Sequence, residues 1–286
     1  MTKHTAIITD STCDLPQDKI EEHQVLIVPL TIIWGQETFR DGVDIQPKEF
    51  YQRLESEDRF PTTSQPTPED MEAACRQAAD QGAEEILIIT ISSAMSGTFD
   101  SARQAADRFP LPVHLHDSRS NSMGLGWQVL AAARAREEGA DPQGMIQAAD
   151  RVRERMQYLI SLDTLEYLHR GGRIGGASRF IGTILNLKPQ ITVNHQTGEV
   201  EAGRRSRTRE KALQDLYRDF FNSVDPAFGE DLRVAVLHNA APDQAEQLAR
   251  RVREEYQPQE LIIQIVSPIL GVHTGPRAIA LCGYSL

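Results

Sequence analysis

The chain alternates short Ile- and Val-rich runs with amphipathic segments, and this pattern constrains its fold more than anything else in it. Residues 5–9, 25–33, 86–91 and 113–116 are apolar, β-branched and bounded by turn formers, which reads as strand rather than helix. Between the second and third runs a helix start is spelled out: Thr67 as N-cap, Pro68 at the first helical position and Asp70 two residues later. Met71, Ala74, Cys75 and Ala78 then recur on one helical face until Gly82 stops it. Two further helices are expected over 96–108 and 123–138. Strands that alternate with helices must be joined by crossovers, so the expected sheet is mostly parallel, with helices on both faces.

The second half has a different texture. A helix ending near Met156 leads to a strand at 158–162 and then to a glycine-rich stretch, Gly171-Gly172-Arg173-Ile174-Gly175-Gly176. Residues 189–194 and 199–202 flank Gln196-Thr197-Gly198, a hairpin with glycine in the left-handed position. A helix over 209–223, a strand at 234–237, a helix over 243–255 and strands at 261–266 and 279–284 follow. The fold class expected is α/β with two α/β domains, residues 1–160 and 161–286. The first has a mostly parallel sheet, the second a mixed sheet with helices.

Charge and composition exclude several classes of function. Against 41 Asp+Glu stand 30 Lys+Arg, a net charge of −11 at pH 7, which repels phosphate backbones and argues against nucleic-acid binding. The longest apolar runs, 86–91 and 261–266, fall far short of the ~20 residues that cross a bilayer, so no stable membrane insertion is expected. Met1-Thr2-Lys3-His4 leads directly into a strand-like run without a signal-peptide core, and the expected location is cytoplasmic. Cys13, Cys75 and Cys282 form no CxxC pair, which argues against a disulfide framework or a cysteine zinc site. His114 and His116 share one strand face, yet no further ligand motif accompanies them and no metal site is expected. There is no Gly-Lys dipeptide and hence no Walker A loop, and no GxSxG elbow. Gly124-Leu-Gly126 lacks the third glycine of a dinucleotide fingerprint.

Hydroxyl and glycine residues cluster after the expected strands: Asp10-Ser11-Thr12, then Ser92 to Thr98, then Asp117 to Ser122. Each cluster by itself reads as a helix cap. Together they fall at one edge of the sheet, the edge where open α/β sheets bind ligands. Ser96-Gly97-Thr98 is the sharpest, because hydroxyls beside helix N–H groups suit an anion.

These segments resemble the DegV family of bacterial fatty-acid-binding proteins, over about residues 4–285. The resemblance is carried by Ile8-Thr-Asp-Ser-Thr-Cys-Asp-Leu15, Pro61-Thr-Thr-Ser-Gln-Pro66, Met95-Ser-Gly-Thr-Phe-Asp-Ser-Ala102 and Asp117-Ser through Met123-Gly-Leu-Gly126. Leu165-Glu-Tyr-Leu-His-Arg-Gly-Gly-Arg-Ile174, Leu185-Asn-Leu-Lys-Pro189 and Gly271-Val-His-Thr-Gly-Pro276 complete it, in the family's order. It implies one long-chain fatty acid such as hexadecanoate, its carboxylate between the two domains and its tail in an apolar tunnel, with no other cofactor. Carried over residue by residue, it places Thr63 and Ser96 on the carboxylate, His273 in the surrounding polar network and Arg207 near the carboxyl group. It also implies a partner, an ATP-dependent fatty acid kinase subunit, faced by Arg170 and Arg173. The chain would then be a carrier for lipid metabolism, without catalytic residues of its own. One departure stands out: Arg277 follows Gly275-Pro276 where the family usually has small residues.

The energetics agree with binding rather than catalysis. Burying ~14 methylenes at about 0.8 kcal/mol each contributes on the order of 11 kcal/mol before ordering costs, whereas a hydrogen bond to a charged group contributes about 1.5–3 kcal/mol. No nucleophile–base pair is evident. A competing reading, a small-molecule kinase or phosphocarrier subunit related to dihydroxyacetone kinase, would make His273 a covalent anchor.

Overall fold

The computed structural model describes residues 4–180, 187–224 and 231–286. Of the motif at 185–189, Leu185 and Asn186 lie outside the described residues. The chain begins with β1 (Thr5–Asp10), α1 (Gln17–Glu22) and β2 (Val25–Val28). Next come β3 (Thr31–Trp34), β4 (Glu37–Arg40), α2 (Pro47–Ser56) and β5 (Thr62–Ser64). The α/β alternation then resumes with α3 (Pro68–Asp80), β6 (Glu85–Thr90), α4 (Thr98–Ala106), β7 (Val113–Asp117), α5 (Ser122–Glu137) and α6 (Pro142–Arg155). The remainder is β8 (Gln157–Ser161), α7 (Glu166–Arg170), β9 (Lys188–Val193), β10 (Val200–Ser206) and α8 (Arg209–Ser223). It closes with β11 (Arg233–His238), α9 (Pro242–Tyr256), β12 (Glu260–Ile265), α10 (Pro268–Thr274) and β13 (Ile279–Tyr284).

The first sheet has the order β2-β1-β6-β7 and is parallel throughout. Its chain direction of travel reverses between β1 and β6, which opens a crevice at their C-terminal ends. Asp10 ties those ends together: it accepts from Thr12 N–H (3.1 Å) and, on its other oxygen, from Ile91 N–H (2.7 Å). The α3 start is a full capping box between Thr67 and Asp70, as the sequence spells it. The second sheet, β10-β9-β8-β13-β11-β12, is mixed, with only β11 and β12 parallel. Gly198 in the β9–β10 connection has a φ of +76°, the conformation expected of that turn. The strand β8 straddles the 160/161 division expected from sequence and pairs within this second sheet.

One segment differs from the sequence reading. Residues 25–33 are not a single strand: Pro29 lacks the N–H that a ladder requires, and β2 stops before it. Beyond it β3 joins a separate antiparallel sheet, β4-β3-β5. This small sheet shares an apolar cluster (Leu30, Ile32, Trp34, Phe50, Tyr51) with α2 and with Ile269 and Val272 of α10. Gly271 makes the approach of α10 possible, since a Cβ there would stand 2.6 Å from Phe50 Cε1 and 2.7 Å from the Tyr51 hydroxyl.

The main core lies between the two large sheets. Helix α5 is buried on every side from Met123 to Leu130, and apart from Gln128 these residues are glycine or apolar. It packs against Leu87 and Ile89 of the parallel sheet and, within the same cluster, Ile160, Ile191 and Cys282 of the mixed one. The Trp127 indole N–H donates to the Cys282 carbonyl (3.2 Å). The β9–β10 turn reaches back across: Ser92 Oγ donates to the Gly198 carbonyl (2.8 Å) and Arg119 to the Gln196 carbonyl (2.9 Å). The three cysteines are buried free thiols. Among the described residues no helix is long and apolar enough to cross a membrane.

Candidate functional site

Alternation along the mixed sheet gives it two different faces. On β13, Ile279 and Leu281 pack beneath α8 and α9, while Ala280 and Cys282 turn towards α5 and the parallel sheet. On that inner face Tyr158 and Ile160 of β8, Ile191 and Val193 of β9, and the small Ala278 and Ala280 leave space unfilled. A cavity of about 230 Å³ results, closed from the other side by Leu30, Ile91 and Met95 and capped by Leu270 of α10. Its walls are apolar along most of their length and polar at one end.

That polar end is assembled by three separate parts of the fold. Thr63 comes from β5, where it lies opposite Ile32 of β3, so the small sheet sets its position. Ser96 comes from the turn ahead of α4, which begins at Thr98 rather than at 96; Ser96 Oγ and Thr98 Oγ1 are 2.8 Å apart. His273 comes from the last turn of α10, and its Nε2 lies 3.0 Å from Thr63 Oγ1. All three line the cavity. Burial, helped by the positive charge of Arg173, pushes His273 down from 6.5 to about 4, so the ring is neutral at pH 7 and exchanges a hydrogen bond with the threonine hydroxyl. Its Nδ1 is buried without a hydrogen-bond partner among the described residues and faces the Gly171 backbone so closely that a Cβ at 171 would collide with the ring. The glycine after α7 is thus a requirement of the histidine's position.

The arginines fall differently from what the resemblance implies. Arg207 is exposed, between buried Ser206 and the α8 N-cap Thr208, and is not among the residues lining the cavity. Strand β10 ends with Ser206 bound inward to Asp215 (2.8 Å), which turns its neighbour outward. The cation at the polar end is instead Arg173, expected to face a partner: it lines the cavity mouth and donates to the Gly171 (2.8 Å) and Met95 (3.4 Å) carbonyls. Arg170 is exposed on α7, paired with Glu166 (2.8 Å), its guanidinium 4.0 Å from the centre of the Phe60 ring. The unusual Arg277 has a φ of +61° and pairs with Asp163 (2.5 Å), which also takes Lys188 (2.6 Å), so its charge is engaged there. In the basic run, Arg204 pairs with Asp219 (2.8 Å) and Arg209 with Gln244 (2.7 Å). His116 is buried against Gln128 (3.1 Å) while His114 lies near Glu85 (3.7 Å), and the described residues contain no His/Cys/Asp/Glu group able to hold a metal.

Sequence reasoning passed over several residues here. Gln65 lines the cavity and folds over Gly97, reaching Ser101 Oγ (3.3 Å). Asn239, buried just past β11, donates to Thr274 Oγ1 (2.8 Å) and the Gly275 carbonyl (2.6 Å), and so pins the end of α10 that carries His273. Its place at a strand's C-terminal end was the signal available. Asp14 holds the other end of α10 through the Ser267 N–H (2.9 Å) and also accepts from Ser122 at the α5 N-terminus. Burial raises Asp14 to about 7 and neighbouring Asp41 to about 8. Ser11 and the Ile269 backbone lie near Asp41, but no donor among the described residues meets either carboxyl oxygen in hydrogen-bond geometry.

An α/β protein whose parallel and mixed sheets enclose an apolar cavity with a hydroxyl- and imidazole-lined end has the build of a lipid-binding protein. The chain belongs to the DegV family: residues 4–285 match the family described as "Uncharacterised protein, DegV family". A DegV domain-containing protein of Streptomyces coelicolor is 36% identical over 277 residues, 96% of each chain. A DegV family protein of Thermus thermophilus, whose structure is reported for fatty acid binding, superposes with a TM-score of 0.91 at 35% identity, covering 99% of this chain and 100% of that one. DegV of Bacillus subtilis, a fatty acid binding protein, gives a TM-score of 0.90 at 27% identity over 99% and 100% of the two chains. A stearic acid-binding protein of Eubacterium ventriosum gives 0.89 at 26% identity over 98% of both.

Proposed function

We propose that this chain holds one long-chain fatty acid in the cavity, carboxylate at the Thr63–Ser96–His273 end, and presents it to an ATP-dependent kinase. The observation that carries the reading is the cavity itself: an apolar chamber between two sheets with two hydroxyls and a neutral imidazole gathered at one end. A carboxylate only accepts hydrogen bonds, so it needs donors, and hydroxyls provide them without burying a second charge. The apolar walls supply the affinity, about 0.8 kcal/mol per methylene, and the hydroxyls set the orientation. Fatty acid binding by the Thermus, Bacillus and Eubacterium proteins supports the ligand class.

The kinase partner is supported by the resemblance and by Arg173, an exposed residue that lines the cavity. There the carboxylate oxygen attacks the γ-phosphorus of ATP held by the partner, the bond to the ADP oxygen breaks, and ADP leaves with an acyl phosphate remaining in the carrier. Arg170, exposed on α7 close to the cavity mouth, is suited to the docking surface. Mass spectrometry of lipid extracted from purified protein, followed by displacement with hexadecanoate, tests the reading. About one fatty acid per chain is expected, and preparations that neither carry nor take up a long-chain acid overturn it.

A further inference from the structure

The turn after β4 carries a carboxyl group into the interior. Asp41 N–H donates to the Leu30 carbonyl (2.9 Å), and Gly42, with a φ of +72°, reverses the chain so that its own N–H reaches the Ile45 carbonyl (3.1 Å). Asp41 is thereby held at 3% exposure, and neither of its carboxyl oxygens has a hydrogen-bond donor among the described residues. A buried carboxyl in that state is costly, and more so when charged. Asp14 lies nearby with one donor on each oxygen, Ser267 N–H and Ser122 Oγ, and has lone pairs for more. Ser267 Oγ is a further buried polar atom without a hydrogen bond among the described residues. The titratable groups that act on Asp41 or feel its charge are Asp10, Asp14, Cys13 and Tyr51, and none of them is a cation.

Asp14, Asp41 and Ser267 line a concavity of about 330 Å³ that shares no lining residue with the cavity between the sheets. Leu15, Ile20 and Val43 supply apolar wall, and Val43 is 55% exposed, one of few large apolar side chains open to solvent. We propose that this concavity is a second ligand site, for a small primary ammonium compound whose N–H donors meet the Asp14 and Asp41 carboxyls while its alkyl part lies against Leu15, Ile20 and Val43. An alkylammonium has three donors and no acceptor, the complement of two carboxyls and a serine oxygen. The net charge of −11 draws cations towards the chain. A metal ion fits less well, since the described residues contain no group of three or more His, Cys, Asp or Glu able to hold one. The site stands independently of the fatty-acid reading. Protons compete with the ligand for the same carboxyls, because burial raises Asp14 to about 7 and Asp41 to about 8. Affinity therefore rises with pH between 6 and 8, and binding releases protons.

The test titrates full-length protein calorimetrically with n-butylammonium chloride at constant ionic strength. Tetramethylammonium serves as a cation without an N–H donor. Wild-type protein is expected to bind n-butylammonium at least about tenfold more tightly at pH 8 than at pH 6, and to release protons, read from paired buffers of different ionisation enthalpy. Tetramethylammonium should bind at least tenfold more weakly than n-butylammonium. Asp41→Asn keeps the shape of the side chain without its charge. It should weaken n-butylammonium at least tenfold and flatten the pH dependence, while retaining a cooperative melting transition. Wild-type protein that binds no n-butylammonium at pH 8 overturns the proposal and leaves these carboxyls to solvent alone. Equal affinity for the two cations, or binding without pH dependence in the wild type, overturns it as well.

Discussion

Replacing Gly171 by alanine adds one methyl group at the point where α7 meets His273. The backbone there is ordinary right-handed helix (φ −77°, ψ −5°), so alanine is allowed and, through the unfolded chain, even favoured by about 0.4–1 kcal/mol. The methyl group, however, collides with His273 Nδ1, stands 2.9 Å from Cε1 and is 3.2 Å from the Tyr167 carbonyl. Backbone cannot yield easily, so the imidazole must swing away and give up its contact with Thr63. Overpacking of this kind costs about 1–3 kcal/mol and the lost hydrogen bond about 0.5–1.5 kcal/mol. Against the backbone gain, the net loss of stability is about 1–3 kcal/mol. A sharper signature lies in the titration. A histidine depressed from 6.5 to about 4 contributes stability that is fully present above pH 6.5 and is lost as pH falls through 4. At 1.36 kcal/mol per unit that contribution is at most ~3 kcal/mol. In Gly171→Ala the displaced ring meets water, its pKa rises towards 6.5 by NMR titration, and the loss of stability between pH 6.5 and 4 shrinks. Hexadecanoate affinity should fall about three- to tenfold at the same time. A variant whose His273 still titrates near 4 and whose affinity is unchanged refutes the close packing on which this reasoning rests.

Two further predictions concern the site and its support. Thr63→Val and Ser96→Ala should each weaken hexadecanoate binding by about 1–3 kcal/mol, and the double variant should fall short of their sum because both hydroxyls address one carboxylate; strictly additive losses in displacement titrations count against a shared ligand. Asp41, raised to about 8 by burial, contributes stability that is present below its unfolded value of 3.8 and lost as pH rises through 8. Asp41→Asn should therefore raise the melting temperature at pH 8.5 by more than at pH 5, and an equal change at both pH values contradicts the buried, proton-retaining carboxyl.

Local chemistry made much of this protein legible in the linear chain. The Ile-rich runs of β1 and β6, the Thr67–Asp70 capping box and the apolar helix α5 each have one stable arrangement available, because periodicity, capping and burial agree at short range. The hydroxyl clusters after β1, β6 and β7 lie together at the C-terminal edge of the parallel sheet, since strand direction alone decides where such residues gather. Thr63, Ser96 and His273 were named by resemblance to the DegV family, but their meeting depends on contacts the chain does not encode locally. Strand β5 has only Thr62–Ser64 to offer as a pattern, too short for periodicity, and exists because β3 pairs with it. Helix α10 is seven residues long and is held by Asp14 and Asn239, from elements 253 and 35 positions away, so no window of sequence contains its cause. The arginines show the same limit. Arg207 and Arg173 both lie beside plausible motifs, and charge reads alike in either place. Which one reaches the cavity was decided by Ser206 turning inward to Asp215 and by the Gly171–Gly172 turn laying Arg173 across the mouth. Side-chain direction follows from packing partners distant in sequence, and only the folded chain brings those partners together.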